Sequence, residues 1–342
     1  MFIASYINFG YLCKLLHYEM DNKQLLLIIN PISGTGNKRG LTELVEKRMS
    51  PLGYKTHVKF TTGRGDATQF AREAIDNRFS AVLAAGGDGT INETATALCD
   101  SKVALGIIPA GSGNGLARHL NIPIDPIASL DIIAENNIVD CDYCSVNGRP
   151  FFCTFGIGFD ATVSEKFAQQ GKRGKFMYVK SAFEEYLKYH SQVYSITANG
   201  VTLTEKAFLI ACCNASQYGN NAYIAPSASI TDGMMDITIV HSGNLLDNTK
   251  IGLDLFSGYL NRNTLIHTIR TSSAVITRTE AGPAHLDGEP MSMPERMEVK
   301  CHHKALPIFV PVKETPFKPI ITPANSMWNE FKIAVTNIFR RK

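Results

Sequence analysis

Apolar runs without alternation occur early in the chain, at Gln24 to Ile29 (QLLLII), Ser80 to Ala85 (SAVLAA) and Ala104 to Pro109 (ALGIIP). They leave few possible folds. A strand that is apolar at every position is covered on both faces, and that calls for a parallel sheet with helices on either side. The segments between them agree. LTELVEKRM reads as a helix, Lys55 to Phe60 as a strand, and Ala67 to Asp76 and Thr90 to Leu98 as helices. Alternating strands and helices predict an α/β domain over residues 20–145.

Past Asp140 the pattern changes. Short strand-like runs appear at FFCTFGIGF, VYSITANGVTLT, KAFLIACC, MMDITIV, SAVITR and RMEVKCHH, and Asn199-Gly200 is a hairpin signal. Helical stretches are expected over residues 175–189 and 244–260. Residues 146–312 therefore read as a mostly antiparallel, sandwich-like β-rich domain. The tail, from Asn325 to Lys342, is amphipathic and ends Arg-Arg-Lys, which suits a helix C-terminus or a membrane surface. The first 19 residues lack a signal-peptide pattern. They read as an over-long start ahead of Met20, or as a short surface segment.

The bulk numbers exclude several classes. A net charge of +3 over 342 residues gives no case for nucleic acid. No apolar stretch is long enough to span a bilayer as a helix. Eight cysteines without framework spacing read as reduced thiols in a cytosolic protein. Cys141 and Cys144 form a C-x-x-C with no second pair to complete a zinc site.

The chemistry lies in the turns. Gly86-Gly87-Asp88-Gly89-Thr90 follows SAVLAA, Asn30-Pro31-Ile32-Ser33-Gly34-Thr35-Gly36 follows QLLLII, and Gly111-Ser112-Gly113-Asn114-Gly115 follows ALGIIP. All lie at C-terminal ends of parallel strands, where open α/β sheets bind ligands. Glycines let backbone N–H groups approach an anion, and a helix start favours negative charge. Together they point to a polyphosphate. An aspartate among them needs a metal or a transferable proton, which suggests phosphoryl transfer. Thr90 to Glu93 also fits a capping box. There is no G-x-x-x-x-G-K-[ST], so this is not a P-loop. Arg39 stands where a dinucleotide fingerprint needs its third glycine, and the second strand ends in Thr61-Thr62 with no acid positioned for a ribose.

The set NPISGTG, AAGGDGTINE, IPAGSGNGLARHL, GIGFDA and LDGEP, in this order from about Lys23 to Val312, resembles the diacylglycerol kinase catalytic superfamily. GGDGT alone is shared with NAD kinases; its pairing with PAGSGN and a late DGEP is specific to the lipid kinases. The resemblance implies ATP bound with Mg²⁺ in a cleft between the two domains. It assigns nucleotide contacts to Asn30, Pro31, Ile32, Thr61, Thr62, Gly87, Gly89, Glu93, Gly111, Ser112 and Gly113. It assigns Asp66 to a metal-and-water network, Lys175 to the phosphates, and Asp232 to a structural metal. It gives Asp160 a contact with the substrate head group. Phe151, Phe152 and Phe155 are core or acyl-chain wall. The catalytic acids it implies are Asp88, Asp287 and Glu289, with either aspartate as the base.

The loop here reads Asn114-Gly115 rather than the Asn-Asp of typical bacterial diacylglycerol kinases, so a sphingoid base or ceramide-type lipid stands beside diacylglycerol as acceptor. An NAD kinase-like enzyme and a non-catalytic nucleotide- or lipid-binding protein are the alternatives. The lipid reading further implies a cytoplasmic protein peripheral to the inner membrane face, with a homodimer left open.

Overall fold

The computed structural model describes residues 23–33, 40–169, 189–243, 250–251, 254–256, 258, 260 and 263–313. Residues 1–19, Gly34 to Gly36, Lys175 with most of its expected helix, and the tail from Asn325 lie outside them. The described residues form two compact units, 23–141 with 304–313, and 142–303. By packing, the units divide after 141, four residues before the expected boundary, and residues 304–313 pack with the first unit.

In the first unit β1 (Lys23–Ile29), β2 (Tyr54–Phe60), β3 (Ala81–Gly86) and β4 (Ala104–Pro109) pair in parallel in the order β2-β1-β3-β4. Late in the chain Ile308 adds in parallel opposite Leu105. β3 and β4 are buried at every position, as their unbroken apolar runs require, whereas the edge strand β2 is only partly covered. The helices are α1 (Leu41–Met49), α2 (Asp66–Asp76), α3 (Asp88–Leu98), α4 (Gly115–His119) and α5 (Pro126–Ala134). Leu41, Val45 and Met49 recur every fourth residue, so α1 buries a single face. They meet Leu25, Leu27, Leu83, Ile133 and Phe309 in one core. α5 was not expected, although its start is legible. Asp125 accepts the Ala128 N–H at 2.9 Å, and Pro126 at the first position has no N–H to satisfy.

Burial of the His119 imidazole lowers its pKa to about 4. The ring is neutral in the fold, while in the unfolded chain it takes a proton below about 6.5. The unfolded state then binds more protons between those values, so stability falls as pH drops from about 6.5 toward 4. Urea unfolding at pH 7 and pH 5 should show a lower midpoint at pH 5, with the difference reduced in His119→Gln.

The second unit contains β5 (Ile138–Val146), β6 (Arg149–Phe151), β7 (Thr154–Gly158), α6 (Phe159–Gln169), β8 (Gln192–Ala198), β9 (Val201–Ala207), β10 (Leu209–Cys213), β11 (Met235–Val240), β12 (Ile266–Thr271), β13 (Ser273–Arg278), β14 (Gly282–Leu286), β15 (Glu289–Met293) and β16 (Arg296–Phe309); the outer ends of β5 and β16 belong to the first unit. One sheet runs β12-β11-β10-β7-β14-β15, antiparallel throughout. In the other, β16, β13, β8 and β9 pair in succession, also antiparallel. Phe151, Phe155 and Ile157 share a core with Tyr194, Ile196, Met297 and Val299, which makes the unit a sandwich. Phe152 is buried as well, so all three phenylalanines of that stretch are shielded from solvent. Asn199 and Gly200 both have positive φ, 53° and 77°, as a two-residue hairpin turn requires. Phe159 starts α6 instead of ending a strand, and β12, β14 and β15 were not foreseen. Among the described residues no helix is long and apolar enough to cross a membrane.

Candidate active site

The strand ends of the α/β unit are tied together by side chains of the glycine loops. Asp88 is the first residue of α3, yet its carboxylate points to the next loop. Oδ2 accepts the Asn114 N–H at 2.9 Å and Oδ1 the Gly115 N–H at 2.8 Å. The lone acid in the glycine turn therefore holds the start of α4. Asn114, buried and left-handed at φ 52°, closes its own loop. Its Oδ1 accepts the Gly111 N–H at 3.0 Å and its Nδ2 donates to the Gly111 carbonyl at 2.8 Å. The backbones of Gly87 and Gly111 are in contact, since a Cβ on Gly111 would lie 2.8 Å from the Gly87 Cα. A Cβ on Gly113 would lie 2.9 Å from Asp88 Oδ2. These glycines are packing requirements.

Gly89 is different. A Cβ there would meet nothing within 4 Å, so neighbouring atoms do not require the glycine. In a helix it costs about 1 kcal/mol against alanine. Gly87 caps α3 in extended conformation, and among the described residues this helix start has no side-chain cap. An open glycine beside helix N–H groups without a side-chain cap suits an anion. The expected capping box is not formed, because α3 starts before Thr90 and Glu93 Oε1 instead accepts the Gly65 N–H at 2.9 Å.

Asn30 and Thr62 complete the rim. Asn30 donates from Nδ2 to Thr90 Oγ1 at 3.0 Å and accepts the Ile32 N–H at 3.1 Å. That turn leaves Pro31 exposed and Ile32 84% exposed, an apolar side chain that covers none of the core. Thr61 is buried. Asp66 Oδ2 takes the Thr62 N–H at 2.7 Å, the Thr62 hydroxyl at 2.8 Å and the Gly63 N–H at 3.0 Å, and these bonds hold its carboxyl below the usual range. Its Oδ1 has no partner among the described residues. Ser112 is exposed at the tip of its loop.

In the sandwich, Asp287 and Gly288 form the two-residue turn between β14 and β15, with φ of 49° and 85° and Leu286 opposite Glu289. Asp287 Oδ1 accepts the N–H groups of Cys153 at 2.7 Å and Thr154 at 2.8 Å, and Oδ2 that of Phe152 at 2.9 Å. Burial raises its pKa, against the opposing pull of those donors. Glu289 is exposed beside it. Asp160, at the start of α6, is 12% exposed. It lies 3.1 Å from His285 Nε2 and accepts the Tyr218 hydroxyl at 2.9 Å. His285 and Tyr218 were not among the expected site residues; the signal was a histidine two residues before the DGEP aspartate. Asp232 pairs with Arg270 and accepts the Met234 N–H at 3.0 Å, so a guanidinium already supplies its counter-charge. Lys175 lies outside the described residues. Among those residues no His, Cys, Asp or Glu triplet forms a ready metal cage, and Cys141 and Cys144 are buried thiols.

Comparison with known proteins follows this division. Residues 24–146 match the diacylglycerol kinase catalytic domain, and residues 154–310 match the YegS C-terminal NAD kinase beta sandwich-like domain. The chain is 31% identical over 276 residues to a "Probable lipid kinase YegS-like" of Yersinia pestis (strain Pestoides F), covering 78% of this chain and 90% of that protein. The same values hold for a protein of that description from Yersinia pseudotuberculosis serotype O:1b. A solved diacylglycerol kinase from Bacillus anthracis str. Sterne shares the fold, with a TM-score of 0.66 and 20% identity, over 85% of this chain and 97% of that one. The glycine rim and the Asp-Gly turn thus sit in the two halves of a known enzyme architecture, and the chain belongs to the YegS-like lipid kinase family.

Proposed function

We propose that the enzyme transfers the γ-phosphate of ATP to the hydroxyl of a membrane lipid, diacylglycerol or a sphingoid-type lipid. The observation that carries the nucleotide half is Gly89, an open glycine at a helix start that has no side-chain cap among the described residues. Ile32 offers an apolar surface for a base, and the loops at Asn30 to Ile32, Gly87 to Gly89 and Gly111 to Gly113 supply backbone donors for the phosphates. Glu93 and Asp88 support these loops through Gly65, Asn114 and Gly115.

The residues present suit magnesium. Mg²⁺ keeps most of its waters and uses one or two carboxylates with the substrate phosphates, so no protein cage is needed. Asp66, half-buried and anionic with no partner on Oδ1 among the described residues, is the side chain to hold it through water, with Asp88 as the second acid. When bound, the ion neutralises charge on the transferring phosphoryl group. The proton acceptor in this reading is Asp287. Burial raises its pKa, and the backbone bonds fix its orientation. Glu289 supports it from the same turn. The lipid reading places the enzyme at the cytoplasmic membrane face, in keeping with its free cysteines.

The test is label transfer from γ-labelled ATP with magnesium to vesicles carrying diacylglycerol, sphingosine or ceramide, with NAD⁺ as a separate acceptor. Label in one lipid supports the proposal; label in NAD⁺ alone refutes it. Gly89→Ala checks the nucleotide half. Stability should be unchanged or higher by up to about 1 kcal/mol. The KM for ATP should rise by about tenfold, because the added methyl occupies space reserved for phosphate. An unchanged KM would remove Gly89 from the site.

A further inference from the structure

His285 sits on β14 directly opposite Gly156 of β7 and is 2% exposed. Its two ring nitrogens face different groups. The Gly288 N–H lies 3.4 Å from Nδ1, which must therefore be the acceptor. Nε2 then carries the proton and donates to Asp160 Oδ2 at 3.1 Å. Asp160 also accepts the Tyr218 hydroxyl on the same oxygen and the Ala161 N–H, at 2.8 Å, on the other. The Asp160 carboxylate thus meets three donors, and the ring orientation is set by Gly288 on one nitrogen and Asp160 on the other.

Gly156 provides the space. A Cβ there would lie 2.2 Å from His285 Nε2 and 2.5 Å from Asp160 Oδ2. The glycine of GIGFD exists to admit the histidine–aspartate pair. The pair in turn meets the Asp287–Gly288 turn from one side, while the 152–154 backbone binds the Asp287 carboxylate from the other.

We infer that His285 is a positioning residue for phosphoryl transfer: set by Asp160 and Tyr218, it fixes Gly288 and so the aim of Asp287. Asp160 acts through His285 and not on the acceptor's head group. This rests on the kinase reading above. Asp160 Oδ2 is shared by Tyr218 and His285, and its link to the Asp287–Gly288 turn runs through His285.

Steady-state kinetics with ATP and the accepted lipid, on Asp160→Asn, His285→Ala and His285→Asn, test it. Asp160→Asn and His285→Ala should each lower kcat by about tenfold or more, with both KM values within about twofold of wild type. His285→Asn, which keeps an acceptor near the Nδ1 position, should recover at least about threefold over His285→Ala. Nitrogen-15 NMR of the wild type near neutral pH should find His285 protonated at Nε2 only. An active wild type in which Asp160→Asn raises the lipid KM and leaves kcat intact would overturn this inference alone. Protonation at Nδ1 would do the same. A wild type inactive on every lipid would overturn the kinase reading and this inference with it.

Discussion

Asp287→Asn should leave a folded enzyme whose turnover is lower by about 10²-fold or more. Two properties of the Asp287 side chain lead to this. Its carboxylate is fixed by three backbone donors from 152–154, so its direction is not free to vary. Burial also raises its pKa, which makes it a stronger proton acceptor than an exposed aspartate. Asparagine keeps the shape and loses the basicity. It also turns an amide N–H₂ toward at least one backbone N–H, at a cost of about 1–3 kcal/mol in stability. Thermal unfolding separates the effects: a folded variant at the assay temperature with turnover near wild type would remove Asp287 from proton transfer. The left-handed φ of 49° is tolerated by asparagine, so the turn itself should persist.

Gly111→Ala should act on the other unit and by a different route. The new methyl would lie 2.8 Å from the Gly87 Cα and 2.9 Å from Asn114 Oδ1. The first is backbone and cannot step aside, so the loop at 111–113 must move away from the one at 87–89. That displaces Asn114, whose amide closes the loop, and with it the amides that bind Asp88. Loss of these bonds costs about 2 kcal/mol or more. The KM for ATP should rise by more than about tenfold, because donors displaced by a fraction of an ångström no longer converge on the phosphates. Nucleotide titration of the variant checks this; an affinity within about twofold of wild type would show that the two loops do not share a ligand.

What the sequence disclosed follows from the kind of signal each element carries. β1, β3 and β4 were legible because strands covered on both faces are apolar throughout, and the Asn199-Gly200 hairpin because its φ values suit few residues. β14 and β15 (GPAHL and EPMSM) were not, since both carry proline and lack β-branched residues; pairing with β7 and with each other holds them. DGEP could be read as a turn or as chemistry, and Asp287 is at once a turn residue and a backbone-anchored acid. Asp88 was legible as an unusual acid in a glycine turn. Its bonds to Asn114 and Gly115 were not, because they join residues 26 and 27 positions apart. Asp160 could be placed by its motif, but its partner His285 lies 125 positions away and no spacing rule links them.

The central proposal is that Asp88 and Asp287 both serve phosphoryl transfer. A double-mutant cycle on turnover tests it most directly, with Asp88→Asn, Asp287→Asn and the two combined, measured with saturating ATP, magnesium and the accepted lipid. Groups that work as one assembly are non-additive, so the double variant should be within about threefold of the slower single variant. Losses that multiply would show two independent effects and contradict the account.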